Sequence, residues 1–96
     1  MTSIYWDNAV IHPNAKIADD VQIGPFCVIG PDVSVASGTR IENNVTLKGR
    51  VTVGRNNHIH SCAVIGGEPQ DLSYAGSDTH VTIGDNNVIR EGVTIN

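Results

Sequence analysis

Aliphatic residues recur at every sixth position over most of the chain. The series reads Ile11, Ile17, Ile23, Ile29, Val35, Ile41, Leu47, Val53, Ile59 and Ile65, and the same phase returns at Ile83, Ile89 and Ile95. Neither an amphipathic helix nor a simple alternating strand repeats at six. Two residues before these positions stand small or β-branched side chains: Ala9, Ala15, Val21, Cys27, Val33, Thr39, Val45, Val51, Ala63, Val81 and Val93. Positions two apart share one face of a strand, so both series point inward. Three residues before the aliphatics come Asn8, Asn14, Asp20, Asp32, Gly38, Asn44, Asn56, Asn86 and Gly92, the residue types that reach the left-handed αL region at least cost. One such residue in six makes a short strand and then a corner. This is a hexapeptide repeat, a signature of a parallel β-helix.

Three strands and three corners close a triangular coil of about eighteen residues, with coils stacked at roughly 4.8 Å. The predicted inward ladders are Ile11, Ile29, Leu47 and Ile65; Ile17, Val35 and Val53; and Ile23, Ile41 and Ile59. The fold expected is all-β, a parallel β-helix of four to five coils, with residues 1–8 as an N-terminal cap, 9–66 and 81–96 as repeats, and 67–80 as one ejected loop. Ile4, Tyr5 and Trp6 are expected to cover the first coil, since repeat arrays need caps. Gly24-Pro25-Phe26 and Gly30-Pro31-Asp32 read as corners stiffened by proline, with Phe26 breaking the rule and pointing outward. The interruption GEPQDLSYAGSDTH, from Gly67 to His80, places Asp71 and Ser77 at the repeat positions. Either it replaces the middle of one coil, or the returning phase is a coincidence. A β-sandwich, the alternative fold, requires irregular spacing and hairpin turns. Period six leaves the hand of the coil open, and the usual crossover preference is right-handed.

Composition narrows the function classes. With 40% hydrophobic and 4% aromatic residues, the core is narrow and filled by Val and Ile. No apolar run reaches membrane-span length, and residues 1–8 have neither a basic residue nor an apolar core, so neither a membrane span nor a signal peptide is expected. Cys27 and Cys62 occupy different phases of the repeat and are read as free thiols of a reducing cytoplasm. A net charge of −4 without a basic stripe argues against nucleic acid. Four of the six cations, Arg40, Lys48, Arg50 and Arg55, fall in one stretch, either as a solvated face or as a local patch for an anionic partner. His58 and His60 flank inward Ile59, so both face outward, with Cys62 two further on. An H-x-H-x-C set on one strand can start a zinc site. Surface histidines are the plainer reading, with His60 also placed to line a subunit interface, and no metal ligand or cofactor is expected.

Four stretches carry a resemblance: Ile11-His12-Pro13; Ile23 to Pro31, IGPFCVIGP; Ile65 to Gly76, IGGEPQDLSYAG; and Ile89 to Asn96, IREGVTIN. Together they resemble the acyl-[acyl-carrier-protein]–UDP-N-acetylglucosamine O-acyltransferases, over essentially the whole chain. Hexapeptides alone are shared by many acyltransferases and by one carbonic anhydrase class; the IGPFCVIGP and PQDLxYxG blocks are more specific. The resemblance implies a left-handed coil and a cytoplasmic homotrimer of lipid A biosynthesis. It implies transfer of an (R)-3-hydroxyacyl group from acyl carrier protein to the 3-hydroxyl of UDP-N-acetylglucosamine, without a cofactor. That chemistry asks for a general base and an oxyanion donor.

The family's basic His lies on a coil beyond Asn96, so no catalytic residue is assigned here and the 96 residues alone are expected to be inactive. Gln70 and Asp71 match the family's substrate-binding loop, whose Asp lies near the glucosamine ring; Asn96 stands where members carry His or Asn. Ser73 departs from the family's Lys, which removes one cationic contact to the nucleotide. Arg90 and Glu91 match the family and also suit a surface ion pair. A truncated enzyme is favoured over a stand-alone assembly or binding module because a module should end in a polar cap. A metal protein like the β-helical carbonic anhydrases is the third reading.

Overall fold

The computed structural model describes residues 4–5, 8–66 and 80–95. Within them fourteen short strands form three parallel sheets, the sides of a triangular prism. The first side holds β1 (Ile4–Tyr5), β4 (Gln22–Ile23), β7 (Arg40–Ile41), β10 (His58–Ile59) and β13 (Val88–Ile89). The second holds β2 (Val10–Ile11), β5 (Val28–Ile29), β8 (Thr46–Lys48), β11 (Val64–Gly66) and β14 (Thr94–Ile95). The third holds β3 (Lys16–Ile17), β6 (Val33–Val35), β9 (Val51–Val53) and β12 (Val81–Ile83). The fold is a left-handed parallel β-helix.

Register makes the predicted ladders real. Ile11 pairs with Ile29, Ile29 with Leu47, Leu47 with Ile65, and Ile65 with Ile95. Ile17, Val35, Val53 and Ile83 form the second ladder, and Ile23, Ile41, Ile59 and Ile89 the third. With the inward residues two before them, these side chains make one continuous buried core. Each fully buried Ile or Leu contributes about 1.5–3 kcal/mol relative to exposure. Backbone N–H groups donate to carbonyls of the adjacent coil, as in Val28 N to Val45 O, 2.9 Å, and Thr46 N to Ala63 O, 3.0 Å. The expected cover by Ile4, Tyr5 and Trp6 concerns side chains outside the described residues.

The corners correct the sequence reading. Gly38, Asn44, Asn56, Asn86 and Gly92 have positive φ, as expected, but Asn14, Asp20 and Asp32 do not. Phe26 (φ 61°) and Cys62 (φ 67°) do, although neither residue type favours it. The stacking dictates this: the N–H of Asn44 donates to Pro25 O below at 3.0 Å, and that of Cys62 to Asn43 O at 3.2 Å. Phe26 points outward, 60% exposed.

Asp20 serves its corner with its side chain instead of its backbone. The carboxylate accepts from the Ser37 hydroxyl (2.8 and 2.9 Å) and from Gly38 N–H (3.1 Å) one coil up. Those donors, the Ser37 hydroxyl foremost, hold the Asp20 carboxyl below its ordinary 3.8. A depressed folded pKa gives stability that is complete above the unfolded value and lost as pH falls through the folded one. Asp20→Asn is therefore expected to flatten the fall in urea midpoint below pH 3.8, measured against the unsubstituted chain. Equal slopes for the two proteins would refute the assignment.

Candidate functional site

Gln70, Asp71 and Asn96 all lie outside the described residues, so the site is built from what frames them. β8 passes to β9 through the two residues 49–50, whereas β11 passes to β12 through 67–80. The long segment therefore replaces one corner between the second and third sides and leaves every coil side in place. Ile83 stacks on Val53, not on the Ile65 ladder. The returning six-residue phase is the coincidence of an insertion worth two hexapeptides.

Both ends of this segment are anchored. Gly66 opposes Lys48 in register, buried and at φ 84°, and Val81 N–H donates to Arg50 O at 2.9 Å. His80 Nε2 and Thr52 Oγ1 are 2.7 Å apart. Gly66 and Val81, which flank this segment, thus both lie beside the Gly49–Arg50 corner. Beside the return, on the outer face of the third side, lies a cleft of about 360 Å³ lined by Lys16, Asp32, Ser34, Arg50, Thr52 and His80, among others. Two cations, two hydroxyls and an imidazole against one carboxylate suit an anionic or polyhydroxylated ligand. The four clustered cations do not form one patch. Arg40 lies on the first side, Lys48 ends a strand of the second, and Arg50 and Arg55 sit near two different corners. A coil of eighteen residues distributes the sixteen-residue stretch from Arg40 to Arg55 around the prism; the cleft instead joins Arg50 to Lys16 from a lower coil.

The histidines gather a partner that sequence spacing along one strand did not reveal. His58 Nε2 is 2.5 Å from Glu42 Oε2, and His60 Nδ1 is 3.3 Å from the same oxygen and 3.0 Å from Glu91 Oε1. The two rings stack with centroids 4.1 Å apart. Hydrogen bonding to His58, helped by the Ser61 hydroxyl and the nearby imidazoles, holds the Glu42 carboxyl below its usual range. Cys62 is exposed at its αL corner and stands outside this group, so the three residues of H-x-H-x-C do not converge. The signal available in the sequence was coil length: Glu42 precedes His60 by one eighteen-residue coil. Glu91 sits beside the same imidazole, its Oε1 within hydrogen-bond reach of His60 Nδ1. Neither cysteine forms a disulfide; burial raises the Cys27 thiol pKa, and its Sγ lies 2.9 Å from Glu42 O. No helix among the described residues is long and apolar enough to cross a membrane.

Comparison with known proteins gives two kinds of likeness. Residues 5–70 match the family model described as the GMPPB C-terminal domain. The acyl-[acyl-carrier-protein]–UDP-N-acetylglucosamine O-acyltransferase of Saccharophagus degradans is 47% identical over 95 residues, 99% of this chain and 36% of that protein. The protein of the same name from Xanthomonas euvesicatoria is 50% identical over the same shares. Among solved structures, LpxA from Acinetobacter baumannii superposes with a TM-score of 0.88 at 44% identity, covering 95% of this chain and 35% of that one. The chain spans about a third of the length of the relatives it matches.

Proposed function

The chain belongs to the family described as the GMPPB C-terminal domain, and we propose that it is the N-terminal third of an acyl-[acyl-carrier-protein]–UDP-N-acetylglucosamine O-acyltransferase. One observation carries this reading: 47–50% identity over 95 residues, 99% of this chain, to proteins of that name. The family model covers repeat coils and ends at residue 70, so it speaks chiefly to the fold. A stand-alone module and a carbonic-anhydrase-like protein are not favoured, because the relatives at this identity are named as acyltransferases.

In this reading the acceptor's 3-hydroxyl oxygen attacks the thioester carbonyl carbon and loses its proton to a general base. The tetrahedral oxyanion then collapses and expels the carrier's thiolate, which takes up a proton. Base and oxyanion donor belong to coils beyond this third. The role of residues 1–96 is to hold the acceptor. Asp71 accepts a hydrogen bond from a glucosamine hydroxyl, Gln70 and Asn96 add polar contacts, and the cationic cleft beside His80 offers charge complementarity to the diphosphate. The substrates are acyl carrier protein bearing an (R)-3-hydroxyacyl group and UDP-N-acetylglucosamine, at the start of lipid A biosynthesis in the cytoplasm. The assembly is a homotrimer, a reading supported by exposed Val10 and Val28, neighbours on the second side, and by exposed Phe26 at the corner leading into it.

The test is a chimera in which residues 1–96 replace the matching third of the Saccharophagus degradans enzyme. Transfer to UDP-N-acetylglucosamine is expected to persist. Asp71→Ala in the chimera should cost about 10- to 100-fold in kcat/KM, the loss of one charge-assisted hydrogen bond. A folded chimera without transfer would overturn the reading, and an undiminished Asp71→Ala variant would remove Asp71 from the site.

A further inference from the structure

Two imidazoles and one carboxylate converge on the outer face of the first side. Parallel pairing sets Ile59 opposite Ile41, so His60 follows on directly above Glu42, with His58 diagonal to it on the same face. Glu42 oxygen, His58 Nε2 and His60 Nδ1 all lie within 4.8 Å of one another. We propose that Glu42, His58 and His60 form a binding site for a divalent transition-metal ion, zinc by ligand preference, clipping two adjacent coils together.

Four observations support it. The ligand set is two nitrogens and one oxygen, which selects zinc and its d-block neighbours over magnesium and calcium. The groups are partly withdrawn from solvent, with side-chain exposures of 28% for Glu42, 32% for His58 and 20% for His60. The carboxylate has a neighbour on its other oxygen: Ser61 Oγ, whose nearer acceptor is Asn43 Oδ1 at 2.7 Å, stands 3.2 Å from Glu42 Oε1, while Oε2 is aimed at the imidazoles. Such outer partners fix a ligand's orientation and sharpen affinity. Finally, the spacing is close to what an ion needs. Bonds of about 2.0–2.2 Å place neighbouring ligand atoms about 3–3.5 Å apart. His60 already stands 3.3 Å from Oε2, whereas His58, at 2.5 Å, must open outward.

Glu91, 61% exposed, lies 3.0 Å from His60 Nδ1 but outside the converging set, so water completes the shell. Arg40 and Arg90 are the ladder neighbours of these positions, and both are exposed to solvent, into which their guanidinium groups can extend.

Isothermal titration of the untagged full chain with zinc chloride at neutral pH tests this. One equivalent is expected to bind, with magnesium chloride giving no saturable heat. Glu42→Gln, His58→Ala and His60→Ala should each weaken binding at least tenfold, while Cys62→Ser and His12→Ala leave it unchanged. Zinc should also raise the Tm of the chain and fail to raise that of the double variant His58→Ala/His60→Ala, whose far-UV circular dichroism checks its fold. His58→Gln, closer in size, replaces any variant that misfolds. No saturable binding up to about 1 mM, where affinity is negligible, would overturn the site. So would loss on Cys62→Ser, or unchanged binding in the Glu42→Gln variant.

Discussion

Gly66→Ala is expected to lower the free energy of unfolding by about 3–5 kcal/mol, the range of a strained left-handed residue combined with overpacking. Gly66 sits at φ 84°, where an L side chain is already disfavoured. A Cβ there would stand only 2.0 Å from the carbonyl oxygen of Lys48 and 2.8 Å from Val51 Cγ2. The first obstacle is backbone, and that backbone belongs to β8, whose Lys48 is the register partner of Gly66. No rotamer change relieves it; β8 and β11 must separate. Gly92→Ala supplies the comparison. Its φ of 70° is similar but a Cβ meets nothing within 4 Å, so only the conformational cost of about 1–2 kcal/mol applies. Urea denaturation of both variants reads the difference, and equal losses would show that the Lys48 contact is not the cause. Gly66 also directs the chain into the segment bearing Gln70 and Asp71. Its replacement in the chimera should therefore depress acyl transfer as well as stability.

The parts that sequence made legible share one property: they repeat. Ile11 through Ile65 recur in one phase, so their ladders follow from coil length, and Gly38, Asn44 and Asn56 announce αL corners by residue type. Phe26 and Cys62 do not, because their corners are tied by hydrogen bonds to the adjacent coil, above for Phe26 and below for Cys62, a non-local demand. Asp20 misled for the opposite reason, its carboxylate doing through space what its backbone was expected to do. Gln70, Asp71 and Asn96 have no periodic signal at all and were reachable only through resemblance. Glu42 was hidden among surface charges, since pairing it with His60 requires the closed coil and its register.

The same distinction makes Asn57 the residue whose loss should be most instructive. It stands two before Ile59, where the repeat calls for a small or β-branched inward residue, and it is buried to 1% exposure. Its Nδ2 donates to Gly84 O at 2.7 Å, and its Oδ1 accepts from Asn87 N–H at 2.8 Å. One coil below, Thr39 in the equivalent position donates its hydroxyl to Gly54 O at 2.8 Å. Gly54 and Gly84 are equivalent corners, separated by one coil plus the inserted length, so Thr39 and Asn57 repeat one device across the insertion. Each inward polar group fastens the corner of the side before it, and at Asn57 that corner follows β12, the strand on which the chain returns from segment 67–80. Asn57→Ala removes both bonds, at about 0.5–1.5 kcal/mol each, since Gly84 and Asn87 are exposed and their freed groups can turn to water. A loss of about 2–4 kcal/mol in unfolding free energy is expected, the cavity supplying the remainder. Asn57→Leu, which fills the space but makes neither bond, should recover only the cavity part of that loss. Full recovery by Leu would mean that packing rather than hydrogen bonding holds this corner, and would detach Asn57 from the anchoring of the returning strand.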